Sequence, residues 1–420
     1  STRKAEIELA MRNVDRVPEK ERLLIQAWKA HMDGHDDQAH ALYAEVVQRY
    51  PQDKEALYMA GDRQFHEERI AEALPLFERA LALDPAWEPA LMHLTDSLFL
   101  LERKDELLSR SRAWVERAPN GSAYRALSLA YLLGRRWDDA IDAARRALAA
   151  DESSYSRLRL AEALLCAERY EEVENMLRPR VDPSVPAAER ARAAHGLVAA
   201  LNYQGRWREA LQVTQAGLGE EGPASTSRHE LELVLHIGRG AHEQARAAAR
   251  ALAKAAEKSG RPWKDYAAVL ALTGDLEGAA EEAKKLEPGI ERSQYEAASA
   301  WRRGRLDEAF ALLRELSARP GRPATALTLW MLAEVAMETH REQEALAAVD
   351  RLVVAKGGAF RSWSYPRGLY LAALAHERLG DRATALQEVD HLLALWKRAD
   401  PDLPLLAEAK ALRRRLAGAR

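Results

Sequence analysis

Small and apolar residues follow two superimposed periods along the chain, one of 3–4 residues and one of about 34. Turn segments opening at Gly34, Arg69, Arg136, Gly205, Gly274, Gly304 and Gly380 are each followed by acidic or polar residues and then by Ala. Aligning on that position gives Ala39, Ala73, Leu107, Ala140, Val173, Ala210, Ala245, Ala279, Ala309, Ala345 and Ala385, at spacings of 30 to 40 residues centred on 34. The second unit shows the inner pattern best. Leu57, Ala60 and Gly61 share one face of a first helix, and a turn follows at Glu68–Arg69. Ala73, Phe77 and Ala80 share one face of a second helix, which Pro85 ends because it has no N–H to continue the ladder. Gly61 and Ala73 allow the two backbones to approach closely, and Phe77 fills the space between units. The pattern predicts eleven helix pairs and no sheet.

Several positions depart from this pattern. Leu107 and Val173 replace the small residue at the helix crossing, which predicts wider pairs there. Glu152 stands where a stopping proline is expected, and units seven to ten rely on Ala and Leu without most aromatic marks. The organisation reads as an N-terminal helix over 1–19, a regular array over 20–180, a proline-rich loop or hinge over 181–190, a degenerate array over 191–400 and a C-terminal capping helix over 401–420. Two stretches carry loop chemistry, one from Arg178 to Pro186 and one from Gly219 to Ser227. Either they mark a hinge, or they are longer loops in one continuous array.

The period and the small-residue positions resemble the tetratricopeptide-repeat (TPR) family over about residues 20–400. The resemblance implies an all-α, right-handed superhelical solenoid with capping helices at its ends. It also implies a concave groove lined by the first helices. By register, Trp28, Tyr58, Asp62, Phe65, Met92, Asp96, Phe99 and Arg125 would line the groove in the first four units. His195, Asn202, Trp301, Trp330 and Tyr370 would follow in later ones. An apolar, aromatic surface with interspersed acids suits a peptide or protein with apolar anchors and basic residues. Repeat domains that clamp a C-terminal carboxylate use two groove asparagines. Of Asn13, Asn120, Asn175 and Asn202, only the last is at a groove position, so that subtype is not expected.

Composition narrows the function further. Hydrophobic residues at 47% and charged residues at 30% exclude disorder, and no apolar run is long enough to cross a membrane. A net charge of −3 gives no basic footprint for nucleic acid, and Arg413–Arg415 read as a solvated helix face. Cys166 is the sole cysteine and reads as a small buried residue. There is no Walker loop, nucleophile elbow, kinase catalytic loop or zinc-protease helix. His31, His35 and His40 near Asp33, Asp36 and Asp37 fall on a turn and two helix faces. His229, His236 and His242 are scattered similarly, so no metal site, cofactor or enzymatic activity is expected.

The segments Val17–Ile25 and Leu392–Pro404 resemble repeat regions that trail bacterial signalling proteins, either serine/threonine kinases or winged-helix regulators. With a chain that begins at Ser1 and not Met, this leads to the expectation of an effector domain before Ser1. The location would then be cytoplasmic, or periplasmic if a membrane segment precedes. Function reads as a protein-interaction scaffold that recruits a partner. The alternative is a sensory domain whose groove closes on a small molecule or peptide.

Overall fold

The computed structural model describes residues 2–67, 69–219, 225–258, 263, 265–319, 324–354 and 364–418. Among these residues there are twenty-four α-helices and no strand. A leading helix α1 (Thr2–Arg12) is followed by helix–turn–helix pairs. The first pairs are α2 (Glu19–Met32) with α3 (Asp36–Arg49), α4 (Lys54–His66) with α5 (Ile70–Leu83), and α6 (Glu88–Leu100) with α7 (Lys104–Arg117). Then come α8 (Gly121–Leu133), α9 (Trp137–Ala150), α10 (Ser154–Cys166), α11 (Tyr170–Leu177), α12 (Ala187–Tyr203) and α13 (Trp207–Gly217). The chain continues through α14 (Ser225–Gly238), α15 (His242–Lys258), α16 (Tyr266–Leu272), α17 (Leu276–Ala283), α18 (Ile290–Arg302) and α19 (Leu306–Ser317). It ends with α20 (Ala326–Glu338), α21 (Glu342–Val354), α22 (Ser364–Arg378), α23 (Arg382–Leu395) and the closing helix α24 (Pro404–Gly418). Eleven pairs in chain order, with a helix at each end, match the expected count.

The register is also as expected. All eleven aligned positions, Ala39 to Ala385, have 0% exposure, including Leu107 and Val173. Leu107 and Val173, on α7 and α11, are as fully buried as the alanines at the other aligned positions. In α4, a methyl group on Gly61 would lie 2.8 Å from the Phe77 ring, so the glycine is needed for close packing.

A single turn geometry recurs between paired helices. The residue five before each aligned position adopts a left-handed backbone at Gly34, Glu102, Arg135, Glu168, Gly205, Gly240, Gly274, Gly304, His340 and Gly380. The equivalent Glu68 of the second unit lies outside the described residues. The next N–H reaches back five residues, as in His35 N to Ala30 O at 2.8 Å and Arg305 N to Ala300 O at 2.9 Å. This is the Schellman closure, which satisfies carbonyls left open at the first helix's end.

The described chain forms two compact units. One holds residues up to Gly134 with Ala149–Asp151, and the other holds Arg135–Leu148, Glu152–Arg319 and Ala324–Arg420. The boundary falls in the α8–α9 turn. The proline-rich stretch lies inside the second unit as a tied loop. Arg190 donates to the carbonyls of Pro183 and Val185 and, at 2.9 Å, to that of Gly217. Residues 220–224 of the other loop stretch lie outside the described residues.

The second unit returns on itself. Trp396 is buried and donates its indole N–H to the Tyr203 carbonyl at 3.0 Å. Asp400 N donates to Gly205 O at 2.9 Å, and the Asp400 carboxylate accepts from Arg208 N at 2.8 Å. Glu168 accepts from Tyr365 Oη at 2.7 Å and pairs with His391 at 2.8 Å. The segment Asp400–Pro404 therefore does more than lead into a terminal helix. It seals the end of the array onto the α12–α13 turn, where a methyl on Gly205 would lie 2.6 Å from Ala399 Cβ.

Candidate functional site

In the first unit, α4 and α6 sit side by side and bring together most of the expected groove residues. The Tyr58 ring meets Trp87 edge-on at 5.0 Å and His93 at 5.4 Å. Burial, then Asp62, pushes the Tyr58 hydroxyl up to about 12. The Phe65 ring stands edge-on to Phe77 at 6.4 Å and to His93 at 5.0 Å. Phe65 and Phe99 are half-buried, and both pack on a cluster that includes Ala73, Leu74, Phe77 and Leu98. Each ring therefore has one side against the core between repeats.

Asp62 is the charged centre of this face. Its Oδ1 lies 3.4 Å from His66 Nε2 and 3.2 Å from His93 Nε2. Burial pushes the Asp62 carboxyl up, but the two histidines and Arg63 outweigh it and hold it below its ordinary value. Burial likewise opposes charging of His93, while Asp62 and the Pro89 carbonyl raise it overall. Asp96 sits one turn beyond His93 and acts on it electrostatically. Trp28 on α2 and Met92 on α6 are each 37% exposed, the most open large apolar side chains of the expected set. Arg125 on α8 is committed to Asp151 at 3.1 Å and to Ser122 Oγ at 2.6 Å.

His66 and His93 were not legible as part of this face. His66 sits one helical turn after Asp62, and His93 lies between two register positions on the next first helix. Their convergence depends on how adjacent repeats stack. A cleft of about 520 Å³ between α3, α4 and α5 was also unforeseen. Tyr43, Val47, Ala60 and Leu76 line it with Arg63, Arg69 and Arg79.

In the second unit, the expected residues divide. Asn202 is fully buried and forms no surface. His195 faces Glu230 at 3.7 Å, and burial lowers His195 to about 4 and raises Glu230 to about 8. Trp301, Trp330 and Tyr370 belong to a strip across α18, α20 and α22. The two indoles meet at 5.5 Å and donate to Glu338 and Glu334. Arg367 grips both oxygens of Glu334 at 2.7 and 3.0 Å and lies over the Tyr370 ring.

Two stretches, residues 34–86 and 296–360, match the family model described as tetratricopeptide repeat. These segments are similar to tetratricopeptide repeats. The first spans the α3–α5 region and the second spans α19–α21, so each unit holds a stretch similar to the family. Among solved structures, a tetratricopeptide repeat protein from Parabacteroides merdae ATCC 43184 is 18% identical with a TM-score of 0.44. The match covers 60% of this chain and 98% of that one. A chain of the APC/C hetero-tetramer Cut9–Hcn1 is 12% identical with a TM-score of 0.41, over 95% of this chain and 84% of that one. The MamA RS-1 ArsTM double mutant is 22% identical with a TM-score of 0.33, over 39% and 97%. No curated protein sequence matches this chain. No helix among the described residues is long and apolar enough to cross a membrane.

Proposed function

We propose that the protein is a binding scaffold whose first-helix face in the first unit holds a peptide or protein partner through apolar anchors. One observation carries this reading. Successive first helices in one register leave Trp28 and Met92 exposed and the rings of Tyr58, Phe65 and Phe99 half-buried. Large side chains of this kind, open on one side and fixed on the other, are the usual anchors of binding energy. Their inner side is already ordered, so binding them costs little further side-chain entropy.

The preference for a basic partner rests on Asp62 and Asp96, which are equivalent positions one repeat apart. Protonated His93, 3.2 Å from Asp62, offsets part of that charge. Recruitment to an effector domain of a larger bacterial signalling protein is a finer reading, supported by the resemblance of Val17–Ile25 and Leu392–Pro404. No catalytic step is assigned to the chain.

The test is a titration of a captured partner or peptide against the parent and a Trp28→Ala, Met92→Ala variant. Both side chains are partly exposed, so the variant should stay folded. Loss of at least about 2 kcal/mol of affinity is expected. Unchanged affinity would move the binding face elsewhere.

A further inference from the structure

The ion-pair contacts of Asp62 lead beyond partner binding. His93 Nδ1 lies 3.1 Å from the Pro89 carbonyl. Tyr58 Oη also lies 3.4 Å from Nδ1, and in the tautomer that donates Nδ1–H to the carbonyl the neutral ring keeps its lone pair at Nε2. That lone pair faces the Asp62 carboxylate at 3.2 Å, and His66 Nε2 faces the same oxygen at 3.4 Å. Three electron-rich atoms, all within 4.8 Å of one another, converge on one point. Such a cluster needs a positive charge at its centre, from added protons or from a metal ion.

The spacing fits a metal ion. Ligand atoms about 2.0–2.1 Å from tetrahedral zinc lie about 3.3 Å from one another. The two edges to Asp62, 3.2 and 3.4 Å, bracket that value, and the His66–His93 edge lies within 4.8 Å. The Pro89 carbonyl supplies the outer hydrogen bond that orients a ligating imidazole and fixes its tautomer. Tyr58 and Phe65, edge-on to His93 at 5.4 and 5.0 Å, hold the ring in place. The His66 side chain is 63% exposed, which gives an ion an entry path from solvent.

A second cluster, His31, Asp36 and Glu67, provides the contrast. There Arg63 pairs with Glu67 and lies 3.8 Å from Asp36, so a guanidinium already supplies the positive charge. At Asp62 both ion-pair contacts are to histidine.

We propose that Asp62, His66 and His93 bind one divalent transition-metal ion of the zinc type, clamping α4 to α6 across the second and third repeats. Water or a partner group completes the coordination, and Asp96 adds negative charge nearby. The ion would tie two repeats together at the centre of the proposed binding face. The claim stands or fails on metal binding alone, independently of any partner.

The test uses the full chain, with any affinity tag removed, stripped by chelator and titrated with Co²⁺ and then Zn²⁺. The expected result is one equivalent of Co²⁺ with the visible absorption of a tetrahedral site, displaced by Zn²⁺. His66→Ala and His93→Ala should each weaken binding by at least about 10–100-fold, the loss found when even a supporting partner of a ligand is removed. His31→Ala should leave it unchanged. Circular dichroism checks that each variant keeps its helices, and exposed His66 gives the variant safest for folding. Absence of a saturable single site, or undiminished binding by the His66 and His93 variants, would overturn the proposal. So would loss confined to His31→Ala.

Discussion

Replacing Gly205 by Ala separates the cost of a turn from the cost of closing the second unit. Gly205 and Gly304 occupy the same place in the same turn, with φ of +70° and +76°. An L side chain in this left-handed conformation costs about 1–2 kcal/mol wherever it sits. At Gly304 nothing lies within 4 Å of the added methyl, so the cost ends there. At Gly205 the methyl would stand 2.6 Å from Ala399 Cβ and 3.3 Å from Leu403 Cδ1. Relieving that overlap must move the Trp396–Leu403 segment and costs about 1–3 kcal/mol more. It also strains the bonds from Asp400 N to Gly205 O and from Trp396 to Tyr203 O. Gly304→Ala should therefore lose about 1–2 kcal/mol and Gly205→Ala about 2–5 kcal/mol. Urea unfolding followed by tryptophan fluorescence reads this, because Trp207 and Trp396 meet edge-on at the closure. Circular dichroism on the same samples reports the whole helix content, which matters because long repeat arrays need not unfold in one step. Equal losses at the two glycines would refute the closure.

Other outcomes follow from the same geometry. Glu102→Gly and His340→Gly place glycine where the backbone is left-handed, at φ of 57° and 56°, and should each stabilise by up to about 1–2 kcal/mol in thermal or urea unfolding. A destabilised variant would show that those side chains do more than occupy the turn. Ala73→Trp should destabilise the first unit by about 1–3 kcal/mol or more, because Ala73 is fully buried at the α4–α5 crossing. Unchanged unfolding would place the crossing elsewhere. Burial sets the pH dependence of the His195–Glu230 pair. Glu230, raised to about 8 from 4.5, contributes stability that is lost as pH rises through 8. His195, lowered to about 4 from 6.5, contributes stability that is lost as pH falls from 6.5 towards 4. The two trends offset between 4.5 and 6.5, leaving a net loss from 6.5 to 8. Glu230→Gln should abolish that loss in urea midpoints measured across the range, and an unaltered alkaline decline would assign it to other groups.

Local patterning carried most of the fold. The buried stripe Leu57, Ala60, Gly61, Ala73, Phe77 and Ala80 is a matter of helical period and side-chain volume, and both are written in the sequence. Glycine marked six of the left-handed turns. Glu102, Arg135, Glu168 and His340 hid four more, because the fold imposes that backbone there without a residue that favours it. Closure of the second unit was illegible for a different reason. Tyr203 and Trp396 are 193 residues apart, and whether an array returns on itself depends on small rotations summed over many repeats. The candidate site divides the same way. Register alone put Trp28, Tyr58, Asp62, Phe65 and Met92 on the first helices α2, α4 and α6. It could not show that His66 and His93 share Asp62, since His93 comes from the next repeat. Asn202 had the right register and proved fully buried.

The claim that the first-helix face binds a partner is tested most directly by photo-crosslinking from defined positions. A photoreactive amino acid would replace Trp28 or Met92 on first helices, and Arg112 or Ala113 on the exposed side of α7 as controls. After illumination in native cell extract, mass spectrometry would identify what each position captured. The account predicts one shared polypeptide joined at 28 and 92 and absent at 112 and 113, with less of it as salt rises if Asp62 and Asp96 contribute. Capture of that polypeptide from 112 and 113, with none from 28 and 92, would contradict it.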